Sequence, residues 1–150
     1  GLRVDGYCTS PGMIAFREAE RTQRVAALLE QCGLPPKFAG RYPHEISGGQ
    51  CQRAAIARAL AIQPKLLICD EATSALDVTV QQQIMELLEN LKREQHLSFL
   101  FICHNLALVQ SFCDRVLVMH EGKIVEEGTP DAVILSPQSD YTKMLVAAAL

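Results

Sequence analysis

Several features are missing from these 150 residues, and each absence narrows the reading. No apolar run reaches the roughly 18 to 20 residues of a membrane span. The first residues lack the pattern of a secretory signal. Basic residues are not in excess: 14 Lys and Arg against 17 Asp and Glu give a net charge of −3. Bulk charge therefore does not suggest a nucleic-acid footprint, although it leaves room for a local basic patch. The six cysteines (Cys8, Cys32, Cys51, Cys69, Cys103 and Cys113) form no C-x-x-C pair, and several lie in apolar segments. They read as reduced thiols of a cytosolic protein. No internal repeat is evident.

What is present is enough chain for one domain, with 49% hydrophobic and 21% charged residues, so a real core is expected. The stretch Leu66-Leu67-Ile68-Cys69-Asp70-Glu71 is a mostly apolar run ending in two adjacent carboxylates. It reads as a buried strand with acids at its C-terminal edge, the edge where open α/β sheets bind ligands. Alternation along a strand lets Asp70 and Glu71 face different ways, one toward a metal-bound phosphate and one toward a water. A solvated turn is the plain alternative for the acids taken alone.

Around this strand the order of elements is readable. Residues 1–11 are rich in turn formers. A helix is expected from about Ile14 to Cys32, with Val25, Leu28, Leu29 and Cys32 on one face and Gly33 as its stop. A connector over 37–45 ends in Tyr42-Pro43-His44-Glu45. Ser47-Gly48-Gly49-Gln50 then opens an Ala-rich helix that stops before Pro64. Free N–H groups at such a helix start suit a phosphate, and glycines allow close approach; a simple helix cap is the plain reading. After the acid pair, residues 72–76 form a turn and Asp77 caps a helix running to about Arg93, with Val80, Ile84, Leu87, Leu88 and Leu91 inward. Residues 97–103 read as a second buried strand with His104 at its end, joined to the first by a right-handed parallel crossover. Asn105 caps a short helix bearing Leu106, Leu108 and Val109. Residues 115–120 and 123–125 form a hairpin about Glu121-Gly122. Thr129-Pro130 starts another helix, broken by Pro137, and 141–150 is the last. His44, His96 and His120 show no metal-ligand grouping, and Lys92, Arg93 and Glu94 read as a solvated helix end.

A glycine-bearing helix start, a strand ending Asp-Glu and a strand ending in His, in this order and spacing, resemble the nucleotide-binding subunit of an ABC transporter. Ser47-Gly48-Gly49-Gln50 matches the signature motif, with Ile46 where Leu is usual. Residues 66–71 match the Walker B strand, Ser74-Ala75-Leu76-Asp77 the loop after it, and His104 the switch histidine. The resemblance covers nearly the whole chain. Arg41-Tyr42-Pro43-His44-Glu45, Cys113-Asp114-Arg115-Val116, residues 122–128, and Pro137 with Tyr141-Thr142 are similar to the ATPases of oligopeptide, dipeptide and nickel importers. Four positions depart from the pattern: Cys51, Ala72, Cys103 and Asn105, none of which removes a catalytic group.

The resemblance implies an α/β fold: a partial P-loop NTPase core with parallel strands, a C-terminal hairpin and the end of the helical subdomain. Residues 1–62 would end that subdomain and 63–150 would form the C-terminal part of the catalytic core. It implies ATP and Mg²⁺, with Asp70 holding the metal through water, Glu71 as general base and His104 on the γ-phosphate. Ser47, Gly48, Gly49, Gln50 and Asp77 would face nucleotide on a second ATPase subunit, identical or sister, and Ser74 would shape the loop. Transmembrane permease subunits, docking near Arg41 and Tyr42, and a substrate-binding protein complete the implied assembly, peripheral to the cytoplasmic face of the cell membrane, without nucleic acid. No G-x-x-x-x-G-K-[ST] occurs, so the chain is expected to be a C-terminal part lacking the Walker A region, inactive alone, exposing unpaired strand edges and poorly stable or prone to associate. The alternatives are a soluble ABC ATPase acting on DNA or ribosomes, and a non-catalytic fragment.

Overall fold

Each strand and helix of the computed structural model follows a local rule visible in the chain. The structure describes residues 18–71 and 76–149. The expected turns of 1–11, the first residues of the expected helix at 14–17, and Ala72, Ser74 and Ala75 lie outside the described residues. The chain falls into two compact units, one ending at Ile102 and the other starting at Cys103.

In the first unit, α1 spans Glu18–Gln31. Val25, Leu28, Leu29 and Cys32 are buried, as the helical spacing predicts. The helix ends in a Schellman turn: Gly33 has φ +72°, its N–H donates to Glu30 O, and Leu34 N–H donates to Leu29 O. The expected connector is wound into two short 3₁₀ turns, Pro36–Gly40 and Pro43–Glu45. Helix α2 spans Gly48–Leu60 and buries Ala54, Ile56, Ala57 and Leu60. Strand β1 (Leu66–Asp70) leads to α3 (Val78–Gln95), whose Ile84, Leu87, Leu88 and Leu91 are buried. His96, at φ +52°, ends α3 two residues beyond the expected boundary. Strand β2 (Ser98–Ile102) pairs parallel with β1, Leu66 opposite Ser98 and Asp70 opposite Ile102.

The expectation that both strands are buried is corrected. Leu67 and Cys69 face the core, but Ile68 on the other face of β1 is 60% exposed, and no β2 side chain is fully buried. A parallel strand is buried on both faces only when it has helices on both. Among the described residues this sheet has two strands and one covered face.

In the second unit, α4 (Leu106–Phe112) buries Leu108 and Phe112, while Leu106 and Val109 are only half-buried. Strands β3 (Val116–His120) and β4 (Lys123–Gly128) form an antiparallel hairpin. Glu121 (φ +49°) and Gly122 (φ +76°) give the doubly left-handed turn that suits strand twist. Helix α5 (Pro130–Leu135) is capped by the Thr129 hydroxyl, and α6 spans Asp140–Ala149. Among the described residues no helix is long and apolar enough to cross a membrane.

Candidate functional site

The start of α2 is built by a reciprocal cap. Ser47 Oγ accepts from Gln50 N–H at 3.3 Å, and Gln50 Oε1 accepts from Ser47 N–H at 2.9 Å. The cap engages both of the expected polar side chains of the signature. The N–H groups of Gly48 and Gly49 have no intrahelical partner. Gly48 is exposed and Gly49 buried. The Cys51 Sγ lies 3.6 Å from Pro43 O as donor, tying this helix to the Tyr42–Glu45 turn, where the Tyr42 and His44 rings stack.

The strand edge carries the acids. Asp70 is the last residue of β1 and exposed; Glu71 follows it, also exposed, in the left-handed region at φ +46°. Its N–H donates to Ile102 O at 2.9 Å, so the parallel pairing is what holds this strained residue. The two acids open onto a cleft of about 290 Å³ whose other wall is α2, at Gln52, Ala55 and Arg58. Behind them Cys69 is buried, and burial pushes its thiol up to about 11.

Asp77 caps α3, its Oδ1 accepting from Val80 N–H at 3.0 Å. Thus Asp77 and the start of α2 are brought together through Leu76 and Val80, which stand against Gly48 and Gly49. His104 is exposed, in the second unit, one residue before the Asn105 cap of α4. The neighbouring Cys103 thiol is raised by burial, an effect opposed by its contact with the Asn105 backbone. Ser74 lies outside the described residues.

Three contributors were not singled out by sequence reasoning. Val80 was placed only on an apolar face, although its position three residues after a capping Asp was a readable signal. Arg53 Nη1 donates to Cys32 O at 3.0 Å, and Arg24 Nη2 reaches Ala61 O at 3.5 Å. Each helix thus lends an arginine to the other's C-terminal carbonyls; such a long-range pairing has no sequence signature.

The donor set suits a magnesium nucleotide. Among the described residues no group of three His, Cys, Asp or Glu could enclose a metal. One exposed hard-oxygen ligand, Asp70, beside a second carboxylate fits a cation that takes its other ligands from phosphate and water. Backbone N–H groups at a helix start fit a phosphate.

A parallel strand ending in two acids, with a capped glycine helix start beside it, fits an α/β P-loop NTPase-like core of the ABC ATPase kind. Residues 5–74 match the family model described as ABC transporter. The chain is 55% identical over 125 residues to the oligopeptide transport ATP-binding protein OppF of Salmonella typhimurium, covering 83% of this chain and 37% of that protein. It is 56% identical over 136 residues to the peptidoglycan transport ATP-binding protein YejF of Agrobacterium fabrum, covering 89% and 25%. In structure it is similar to the post-hydrolysis dimer of the ATP-binding cassette MJ0796 bound to ADP and Pi, with TM-score 0.72 and 30% identity over 86% of this chain and 57% of that one. The fold of this chain is that of an ABC ATPase core, and a little under half of the chain matches the ABC transporter family model. It spans about two fifths of the length of the OppF proteins it matches.

The family match also makes a correction. It enters the ATPase domain at residue 5, well ahead of Ser47, and overturns the reading of this chain as a C-terminal part lacking the Walker A region. That reading rested on the spelling of one motif, and a missing string does not bound a domain.

Proposed function

We propose that this chain serves as the ATP-binding and ATP-hydrolysing subunit of an ABC importer for peptides or nickel, working at the cytoplasmic face of the cell membrane. The observation that carries the proposal is the acid pair, Asp70 ending β1 and Glu71 pinned just beyond it by Ile102. The identity to oligopeptide transport ATP-binding proteins supports the peptide class. Residues 1–62 would serve as the end of the helical subdomain and 63–150 as the C-terminal part of the catalytic core.

In this mechanism Asp70 would hold Mg²⁺, which would supply charge neutralisation to the phosphates. Glu71, exposed just beyond the strand edge, orients a water and takes its proton. His104 donates a hydrogen bond to the terminal phosphate. The N–H groups of Gly48 and Gly49, with Ser47 and Gln50 shaping their turn, and Asp77 beside them, serve the nucleotide of a second ATPase subunit. Closure of that pair moves permease subunits fed by a substrate-binding protein, with Arg41 and Tyr42 at the docking surface.

The test is Glu71→Gln in the whole subunit with its partner. Turnover should fall on the order of a hundredfold or more, with ATP retained on the protein. Turnover equal to that of the unaltered subunit would remove Glu71 from the chemistry.

A further inference from the structure

Helices α2 and α3 begin side by side, and the contact between them is closer than side chains allow. Gly49, in the first turn of α2, is buried. A Cβ placed there would stand 2.5 Å from Val80 Cγ1, but 3.7 Å from Val80 Cβ. The same construction at Gly48 leaves 3.5 Å to Leu76 Cδ2, an ordinary contact. Alanine thus fits at position 48 and does not fit at 49. Val80 occupies the place that a side chain at position 49 would take.

Val80 has a second attachment. Its own N–H donates to Asp77 Oδ1 at 3.0 Å. One residue therefore meets the start of α2 with its side chain and the cap of α3 with its backbone.

We propose that Val80 is a positioning residue: it is the stop against which Gly49 rests, and it holds the N–H groups of Gly48 and Gly49 and the Asp77 carboxylate as one block. This rests on the reading that both groups serve a partner's nucleotide. The block then presents two contacts in fixed spacing. Carbon atoms pack at about 3.5–4.0 Å, so a Cβ at position 49 would push the helix starts apart by about 1 Å. A misplacement of that size at a reacting centre costs on the order of a hundredfold in rate.

The experiment compares Gly49→Ala, Val80→Ala and the double variant in the whole subunit paired with its partner. Turnover, and hydrogen exchange at the Gln50 and Val80 amides, are read together. Gly49→Ala should lower kcat on the order of a hundredfold with KM for ATP changed less than about twofold, because the displaced groups act on the partner's nucleotide. It should also speed exchange at both amides. Val80→Ala removes the obstructing methyl and leaves the 3.7 Å contact, so the double variant should recover kcat and amide protection. A double variant as impaired as Gly49→Ala overturns the proposal. If the unaltered subunit pair has no turnover, the functional reading fails, while recovery of protection still decides the role of Val80. If Gly49→Ala does not fold, Val80→Ile lengthens the same side chain: accelerated exchange at Gln50 supports the stop, and unchanged exchange overturns it.

Discussion

Two residues of β1 and its edge show how position sets chemistry. Glu71 holds a left-handed backbone, which costs a side-chain-bearing residue roughly 1–2 kcal/mol. Glycine has no such penalty. Glu71→Gly should therefore raise stability by about 1 kcal/mol while removing the expected base, a trade of stability against function seen by urea titration beside a turnover assay. Glu71→Gln keeps the left-handed backbone penalty, so the difference in urea midpoint between the Gln and Gly variants isolates the backbone effect. Cys69, one residue before Asp70, is buried and its thiol is pushed up to about 11. At pH 8 about one molecule in a thousand carries the thiolate, so Cys69 should resist alkylation until the chain is unfolded. The linked stability has a definite sign. The folded thiol keeps its proton to higher pH than the unfolded one, so its contribution is whole below 9.0 and declines as pH rises from there toward about 11. Cys69→Ala should remove that part of the pH dependence of the urea midpoint.

At the scale of elements, what decides position is capping and cross-bracing. Glu126 of β4 anchors the start of α6, its two carboxylate oxygens accepting from Gln138 and Ser139 N–H at 2.9 Å each. The adjacent Thr142 hydroxyl foremost, then these two N–H groups, hold its carboxyl below the usual range. Thr142 is fully buried, and its Oγ1 makes no hydrogen bond of ordinary geometry. A lowered carboxyl stabilises above the unfolded value of 4.5, and that contribution fades as pH falls through the lower folded value. Protection of the Gln138 and Ser139 amides, taken relative to their intrinsic exchange rates, should fall in that acid range, and Glu126→Gln should lower it at every pH. The arginine exchange between α1 and α2 makes a second prediction. Arg53→Ala leaves the Cys32 carbonyl without its donor and should cost about 1–2 kcal/mol in thermal or urea unfolding. Most of these elements were legible. Ser47, Asp77, Asn105 and Thr129 each announced the helix they cap, because a cap is a local bond between residues three apart. Glu121-Gly122 announced the hairpin for the same reason. What was not legible is the non-local part. The depth of β1 and β2 depends on what covers each face, and Ile68 and Leu100 read alike whether covered or exposed. The Gly49–Val80 contact joins residues from different helices, so neither residue type discloses it.

For the whole molecule, the proposed site is divided between subunits, and that division has an arithmetic consequence. Asp70 and Glu71 would serve the nucleotide on their own subunit. Ser47–Gln50 and Asp77 would serve the one opposite. In a two-fold pair the same patch recurs on both partners, so each pair holds two composite sites. Consider one subunit carrying Glu71→Gln and another carrying Gly48→Asp. Gly48 is exposed at the helix start, so the aspartate is a charge placed against phosphate rather than a packing fault. Each variant paired with itself has both sites broken. When the two are mixed, the mixed pair gathers both faults in one site and leaves the other intact. With free exchange, half the pairs are mixed and half the sites within them work, so turnover should return to about a quarter of the unaltered level. The mixing should be read as turnover against mole fraction, with a maximum at equal amounts. If both groups instead served a site within one subunit, every subunit in the mixture would stay defective and the curve would remain flat.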